Sequence, residues 1–108
     1  MKLVIDDKIP FIHGLAEQLG TCVYRPGAEI SPADVQDADA LIVRTRTHAN
    51  EALLKGSKVQ LVVTATIGHD HLDKEYLAQA GIEWRNESTQ KPPKQAVYIQ
   101  EAAAAEIL

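Results

Sequence analysis

Five short apolar runs recur along the chain, and a polar turn follows each of them. The runs cover residues 2–6, 21–25, 40–43, 59–64 and 82–85. Several are nearly uninterrupted strings of aliphatic and β-branched residues. Continuous apolar strands are typical of parallel sheets that helices cover on both faces, because neither face of such a strand contacts water. The pattern therefore predicts five strands of one parallel sheet.

Helical segments are predicted between these strands from their caps and from apolar residues at helical spacing. The first spans residues 10–19, with an apolar stripe and Gly20 as its stop. Three more begin at capping residues, and a polar, alanine-rich segment at 95–108 predicts a last helix. The caps are Ser31 before Pro32, Asn50 before residues 51–55, and either Asp70 or Asp73 before a helix that ends at Gly81.

Regular alternation of strand and helix indicates an α/β fold in which helices lie on both faces of the sheet. We expect a flavodoxin-like, doubly wound sheet of five parallel strands in the order 2-1-3-4-5, with three α/β/α layers. Residues 1–108 are predicted to form a single domain, with 87–108 as a divergent linker and C-terminal helix.

Composition narrows the function classes. The 108 residues carry a net charge of −4, which argues against the basic face that nucleic-acid binding requires. The single cysteine, Cys22, lies in a predicted strand and is interpreted as a small buried residue in a reducing, cytoplasmic protein. No segment resembles a secretory signal or a membrane span, so no membrane partner is expected.

Candidate chemistry follows the third strand. Arg44, Thr45, Arg46 and Thr47 place two guanidinium groups and two hydroxyls at the carboxyl end of a buried strand, where ligands bind in such folds. Arginine binds carboxylate or phosphate through paired hydrogen-bond donors. The hydroxyl of Thr66, after the fourth strand, could add one more donor. The alternative is that the arginines are solvated or pair with nearby aspartates, namely Asp6, Asp7 or Asp39.

The segment 69–73 contains two histidines and two aspartates. Metal-binding histidines on a helix usually lie four residues apart, whereas His69 and His71 are two apart and have no obvious third ligand. Helix capping by the aspartates is the favoured interpretation, and no metal is expected.

Other catalytic patterns are missing from the sequence. The sequence does not contain the Gly-x-Ser-x-Gly motif that carries a nucleophilic serine. It also lacks the Gly-x-Gly-x-x-Gly turn of dinucleotide-binding sites. Asp6 and Asp7 are similar to the acid pair of a signalling receiver, but the third strand ends in Val43 and Arg44 and offers no acceptor aspartate.

Three segments together carry a family resemblance. They are the Lys-hydrophobic-Val-Ile-Asp-Asp start, "DADALIVRTRT" at 37–47 and "TATIGHDHLDKEYLAQAGI" at 64–82. Residues 1–86 resemble the NAD-dependent D-2-hydroxyacid dehydrogenases, in particular the branch that acts on 4-phosphoerythronate in pyridoxal phosphate biosynthesis.

The resemblance implies a substrate-binding domain whose Thr45 and Thr66 contact a phosphorylated hydroxy acid, with Arg44 and Arg46 beside them. It also implies that NAD binds a separate domain, with the family's catalytic arginine, acid and histidine, none of which matches this sequence. We therefore expect no catalytic, cofactor-binding or metal residue here and only weak substrate binding. The sequence leaves open a natural truncation and an excised or engineered stand-alone domain without activity.

Overall fold

Five parallel strands form one sheet in the computed structural model, which describes residues 1–9 and 16–86. The strands are β1 (Lys2–Asp6), β2 (Thr21–Arg25), β3 (Ala40–Val43), β4 (Leu61–Thr64) and β5 (Glu83–Arg85). Their order, β2-β1-β3-β4-β5, confirms the predicted topology. β4 begins two residues later than predicted, and the Val59 amide donates to the Ser57 side chain at 3.4 Å.

The register of the sheet brings the loops that follow four strands to one edge. Asp6 at the end of β1 lies opposite Arg25 at the end of β2, and Val43 lies opposite Thr64. Because parallel strands all point the same way, the turns after them leave from their carboxyl ends. This edge is where the fold places a ligand.

Short helices start at the predicted caps. Asn50 Oδ1 accepts a hydrogen bond from the Leu53 amide at 3.1 Å, and Asp73 Oδ1 accepts one from the Tyr76 amide at 3.1 Å. Gly81 ends its helix with φ 74°, a left-handed conformation that suits glycine. The helices are α1 (Pro32–Val35), α2 (Glu51–Leu54) and α3 (Lys74–Ala80).

The two faces of the sheet are covered differently. The face that carries Val4, Leu41 and Val62 packs against buried residues of α1, α2 and α3, including Val35, Leu54 and Leu77. The opposite face packs against Ile9 and the short 3₁₀ helix Ala16–Gln18. That 3₁₀ helix is the described part of the predicted first helix. The predictions for 10–15 and for 95–108 lie outside the described residues.

A pair of loops beyond the sheet is joined by backbone hydrogen bonds. Ala49 forms an isolated parallel bridge with Leu72. The Ala49 amide donates to the His71 carbonyl at 3.0 Å, and the Asp73 amide donates to the Ala49 carbonyl at 2.9 Å. The start of α2 is thereby fixed to the start of α3. In the part of the chain that the structure describes, no helix has the length and hydropathy to cross a bilayer.

Candidate functional site

The loops after β1, β2 and β3 enclose a cavity of about 370 Å³ at the carboxyl edge of the sheet. Its lining combines three cationic side chains with two acidic ones and a turn of small residues. Such a mixture suits a small, charged ligand that also carries polar groups. The lining residues are Asp6, Lys8, Pro26, Gly27, Ala28, Glu29, Arg44, Thr45 and Arg46.

Arg44, Thr45 and Arg46 all reach this cavity and are exposed. An Arg44 guanidinium nitrogen donates to the Lys8 carbonyl at 3.1 Å, which holds the loops after β1 and β3 together. Among the described residues, the ion pairs do not include Arg44 or Arg46. The alternative pairing of these arginines with Asp6, Asp7 or Asp39 is therefore not observed in residues 1–9 and 16–86, and both guanidinium groups can receive an anion.

Gly27 lies where three of these loops meet. The buried Thr47 hydroxyl donates to the Gly27 carbonyl at 2.8 Å. A β-carbon on Gly27 would lie 2.4 Å from Asp6 Oδ2 and 3.2 Å from the Arg46 β-carbon. The lack of a side chain at this position lets the loop after β2 pack directly against the neighbouring loops. The position of Arg46 is consequently tied to that of Gly27.

Asp6 is a buried carboxylate in the cavity lining, with a relative exposure of 1%. Its Oδ1 accepts a hydrogen bond from the Lys8 amide at 2.8 Å. Sequence reasoning placed Asp6 in a loop at the carboxyl end of the first strand, as a pairing partner of the arginines or as part of a receiver-like acid pair. It also missed Gly27 and Glu29, although the turn after the second strand must leave from the same edge of a parallel sheet.

Thr66 lies apart from this lining. Its hydroxyl is 2.6 Å from the Thr64 hydroxyl and donates to the Gly68 carbonyl at 2.8 Å. Among the described residues, the lining of the cavity after β1, β2 and β3 does not include Thr66. The structure thus brings Arg44, Thr45 and Arg46 together but does not bring Thr66 into the same cavity.

The histidine-rich loop after β4 is held by packing and hydrogen bonds. His71 is buried, and its Nε2 lies 2.8 Å from the Thr64 hydroxyl. Burial lowers the pKa of His71, and the nearby His48 and His69 lower this pKa further. His69 packs its ring against Trp84, with centroids 5.1 Å apart. Within residues 1–9 and 16–86, no three histidine, cysteine, aspartate or glutamate side chains are placed so that they could hold one metal ion.

The described residues do not fit a dinucleotide. A dinucleotide site places the pyrophosphate on a glycine-rich turn after the first strand, beside a helix N-terminus. Here that turn carries Asp6 and Asp7, and two carboxylates would repel the pyrophosphate charge.

Comparison with known proteins identifies the family. The catalytic domain of the D-isomer specific 2-hydroxyacid dehydrogenases matches residues 6–96. The chain belongs to the D-isomer specific 2-hydroxyacid dehydrogenase family. Membership in this family agrees with the resemblance seen in the sequence, and the candidate cavity lies inside the matched range.

Curated relatives in this family are much longer than the chain. An erythronate-4-phosphate dehydrogenase from Bacteroides thetaiotaomicron is 54% identical over 101 residues, which cover 93% of this chain and 29% of the relative. The enzyme of the same name from Saccharophagus degradans is 57% identical over 82 residues, or 76% of this chain and 22% of that protein. The chain therefore spans less than a third of the length of these relatives.

Solved structures of the family share the fold. A 3-phosphoglycerate dehydrogenase from Entamoeba histolytica, crystallised with NAD+, is 28% identical with a TM-score of 0.64 over 80% of this chain and 32% of its own. A D-lactate dehydrogenase from Aquifex aeolicus is 21% identical, with a TM-score of 0.66 over 80% of this chain and 27% of its own. The second similarity supports the fold alone.

Proposed function

We propose that this chain is the substrate-binding portion of a 4-phosphoerythronate dehydrogenase. Two observations support the proposal. The relatives at 54% and 57% identity are named erythronate-4-phosphate dehydrogenases, and the cavity at the carboxyl edge of the sheet is lined by Lys8, Arg44 and Arg46. Under this proposal the chain acts in pyridoxal phosphate biosynthesis in the cytoplasm.

The main support for substrate binding is the cluster of cationic side chains around the cavity. Arg44 and Arg46 form no ion pair within the described residues, although a carboxylate at Asp6 lies in the same lining. Guanidinium groups bind phosphate or carboxylate through two parallel hydrogen bonds, and the exposed Thr45 can donate a third. One anionic end of a phosphorylated hydroxy acid would occupy this cavity.

Hydride transfer requires more than this cavity. Under the proposal a separate nucleotide-binding domain supplies NAD and the groups that move the proton, because the described residues hold no dinucleotide site. The role of Thr66 stays a prediction. Since its hydroxyl already bonds Thr64 and Gly68, it would act by shaping the loop after β4.

A two-dimensional NMR titration of the 108-residue chain tests the proposal. Addition of 4-phosphoerythronate should shift the amide signals of Thr45 and Arg46. Half of a cleft binds a small ligand weakly, so we expect an affinity near millimolar, about −4 kcal/mol. NAD is the negative control and should leave these signals in place.

A pair of charge-neutralising variants sharpens the result. Arg46→Gln should weaken the response several-fold, because it removes one of the paired donors at the cavity. Lys55→Gln removes an exposed cation of the same sign at the end of α2, outside the cavity lining, and should bind as the parent does. A well-dispersed spectrum that 4-phosphoerythronate does not alter would overturn the proposal and indicate a stand-alone fold without this activity.

A further inference from the structure

We propose that Asp6 is a specificity-determining residue that accepts a hydrogen bond from a hydroxyl group of the ligand. The inference rests on the proposed function, because it concerns the same cavity. It adds a requirement to that function: the site discriminates between phosphorylated acids that carry hydroxyl groups and those that do not.

The geometry of Asp6 leaves acceptor capacity inside the cavity. The side chain is almost fully buried, yet it belongs to the cavity lining. An ionised carboxylate has about four lone-pair sites. Among the described residues Asp6 accepts one hydrogen bond, from the Lys8 amide to Oδ1. Oδ2 packs against the Gly27 α-carbon, since a β-carbon there would lie 2.4 Å from it, and the described residues give Oδ2 no hydrogen-bond donor.

The surroundings of Asp6 explain why a hydroxyl is the matching group. A ligand that fills the cavity would exclude water from Asp6, and a carboxylate oxygen that is then left without a hydrogen-bond donor is costly, so the ligand should supply that donor. A phosphate or carboxylate oxygen would repel Asp6, whereas a hydroxyl donates to it. The cations Lys8, Arg44 and Arg46 in the same lining hold the anionic end of the ligand. The cavity would therefore recognise both the anionic end and a hydroxyl group of the same ligand.

A counter-ion role for Asp6 is not seen. The two arginines of the cavity form no ion pair with it within residues 1–9 and 16–86, and the Arg44 guanidinium donates to a backbone carbonyl instead. A site that is built to accept a hydroxyl proton rejects the analogue that lacks the hydroxyl, because its own buried group is then left unpaired.

The test compares two ligands that differ only in their hydroxyl groups. The probes are 4-phosphoerythronate and 4-phosphonooxybutanoate, which has the same carbon chain, phosphate and carboxylate but no hydroxyls. Hydrogen bonds to charged groups change affinity by roughly tenfold to a hundredfold. The parent protein should bind the hydroxylated ligand at least tenfold more tightly in the NMR titration.

The variant Asp6→Asn isolates the carboxylate. Asparagine keeps an oxygen for the Lys8 amide, removes the charge and replaces one acceptor by a donor. The ratio of the two affinities should fall by about tenfold, with 4-phosphonooxybutanoate binding more tightly than before. One control is matched to it. Asp7→Asn makes the same change at an exposed neighbour outside the lining and should keep the parent ratio.

A second measurement on the parent protein does not depend on the folding of any variant. At equal saturation of the cavity, the carboxylate ¹³C signal of Asp6 should shift more with 4-phosphoerythronate than with 4-phosphonooxybutanoate. If both ligands bind with one affinity, or if Asp6→Asn keeps the parent ratio, the inference is wrong while the proposed function stands. If neither ligand perturbs the cavity, the proposed function is overturned and the inference with it.

Discussion

At the scale of single residues, the candidate site depends on a glycine at which three of its loops meet. Gly27 carries the carbonyl that accepts from Thr47, and its α-carbon faces Asp6 and Arg46. These contacts join residues far apart in the sequence, so neither spacing nor composition predicts them. What the sequence does predict is local: the positions of Arg44, Thr45 and Arg46 at the end of a strand.

Gly27→Ala should destabilise the protein by about 1–3 kcal/mol, because the new methyl group would lie 2.4 Å from Asp6 Oδ2 and must displace it. Gly68→Ala is the control, since a β-carbon there meets nothing within 4 Å. Urea denaturation of both variants measures the difference. Equal stabilities would show that the three loops separate easily at this point.

His71 should make the free energy of unfolding depend on pH, and the direction follows from its lowered pKa. Burial holds its folded-state pKa below the ordinary value of 6.5, so the unfolded chain binds a proton first as the pH falls. The stability associated with neutral His71 is therefore complete above pH 6.5 and is lost as the pH falls from there through the folded-state pKa. The charged or titratable neighbours that act on it are His48, His69, Asp70 and Lys74.

Two measurements check this direction. The ring-proton NMR signals of His71 should titrate below pH 6.5 in the folded protein. His71→Gln should flatten the loss of stability between pH 6.5 and the pKa found for the parent. A His71 that titrates at or above 6.5 would contradict the assignment of a buried neutral ring bonded to Thr64.

At the scale of secondary-structure elements, helix starts and strand runs were predicted well because their causes are local. Asn50 and Asp73 cap α2 and α3, and Gly81 ends α3 in a left-handed conformation. Apolar runs marked all five strands to within two residues. The sequence could not decide between Asp70 and Asp73 as the cap of α3, since the choice depends on where the chain turns after the bridge to Ala49.

The capping role of Asp73 is testable by a matched pair of variants. Asp73→Ala should cost about 1 kcal/mol of stability, because the Tyr76 amide loses its acceptor at 3.1 Å. Asp70→Ala removes another exposed aspartate three residues earlier and should change the free energy of unfolding by less than about 0.5 kcal/mol. Thermal or urea denaturation distinguishes them, and the reverse ranking would assign the cap to Asp70.

At the scale of the whole molecule, stability should be graded across the sheet. β3 and β4 are fully buried and β1 nearly so, whereas β2 and β5 lie at its edges and are partly exposed. Amide hydrogen exchange followed by NMR should therefore be slowest in β1, β3 and β4 and faster in β5. Protection in β5 equal to that in β3 would show that the edge strand opens only with the whole domain.

The bridge between Ala49 and Leu72 has a consequence for how such a chain can change over evolutionary time. Because residues 71–73 are fixed to Ala49 by backbone hydrogen bonds, the register of α3 is set by that attachment and not by the length of the segment before it. Insertions, deletions or replacements within residues 66–68 should then leave the helix in place. The carboxyl edge of the sheet can vary in shape there, while the layer of helices behind it keeps its packing.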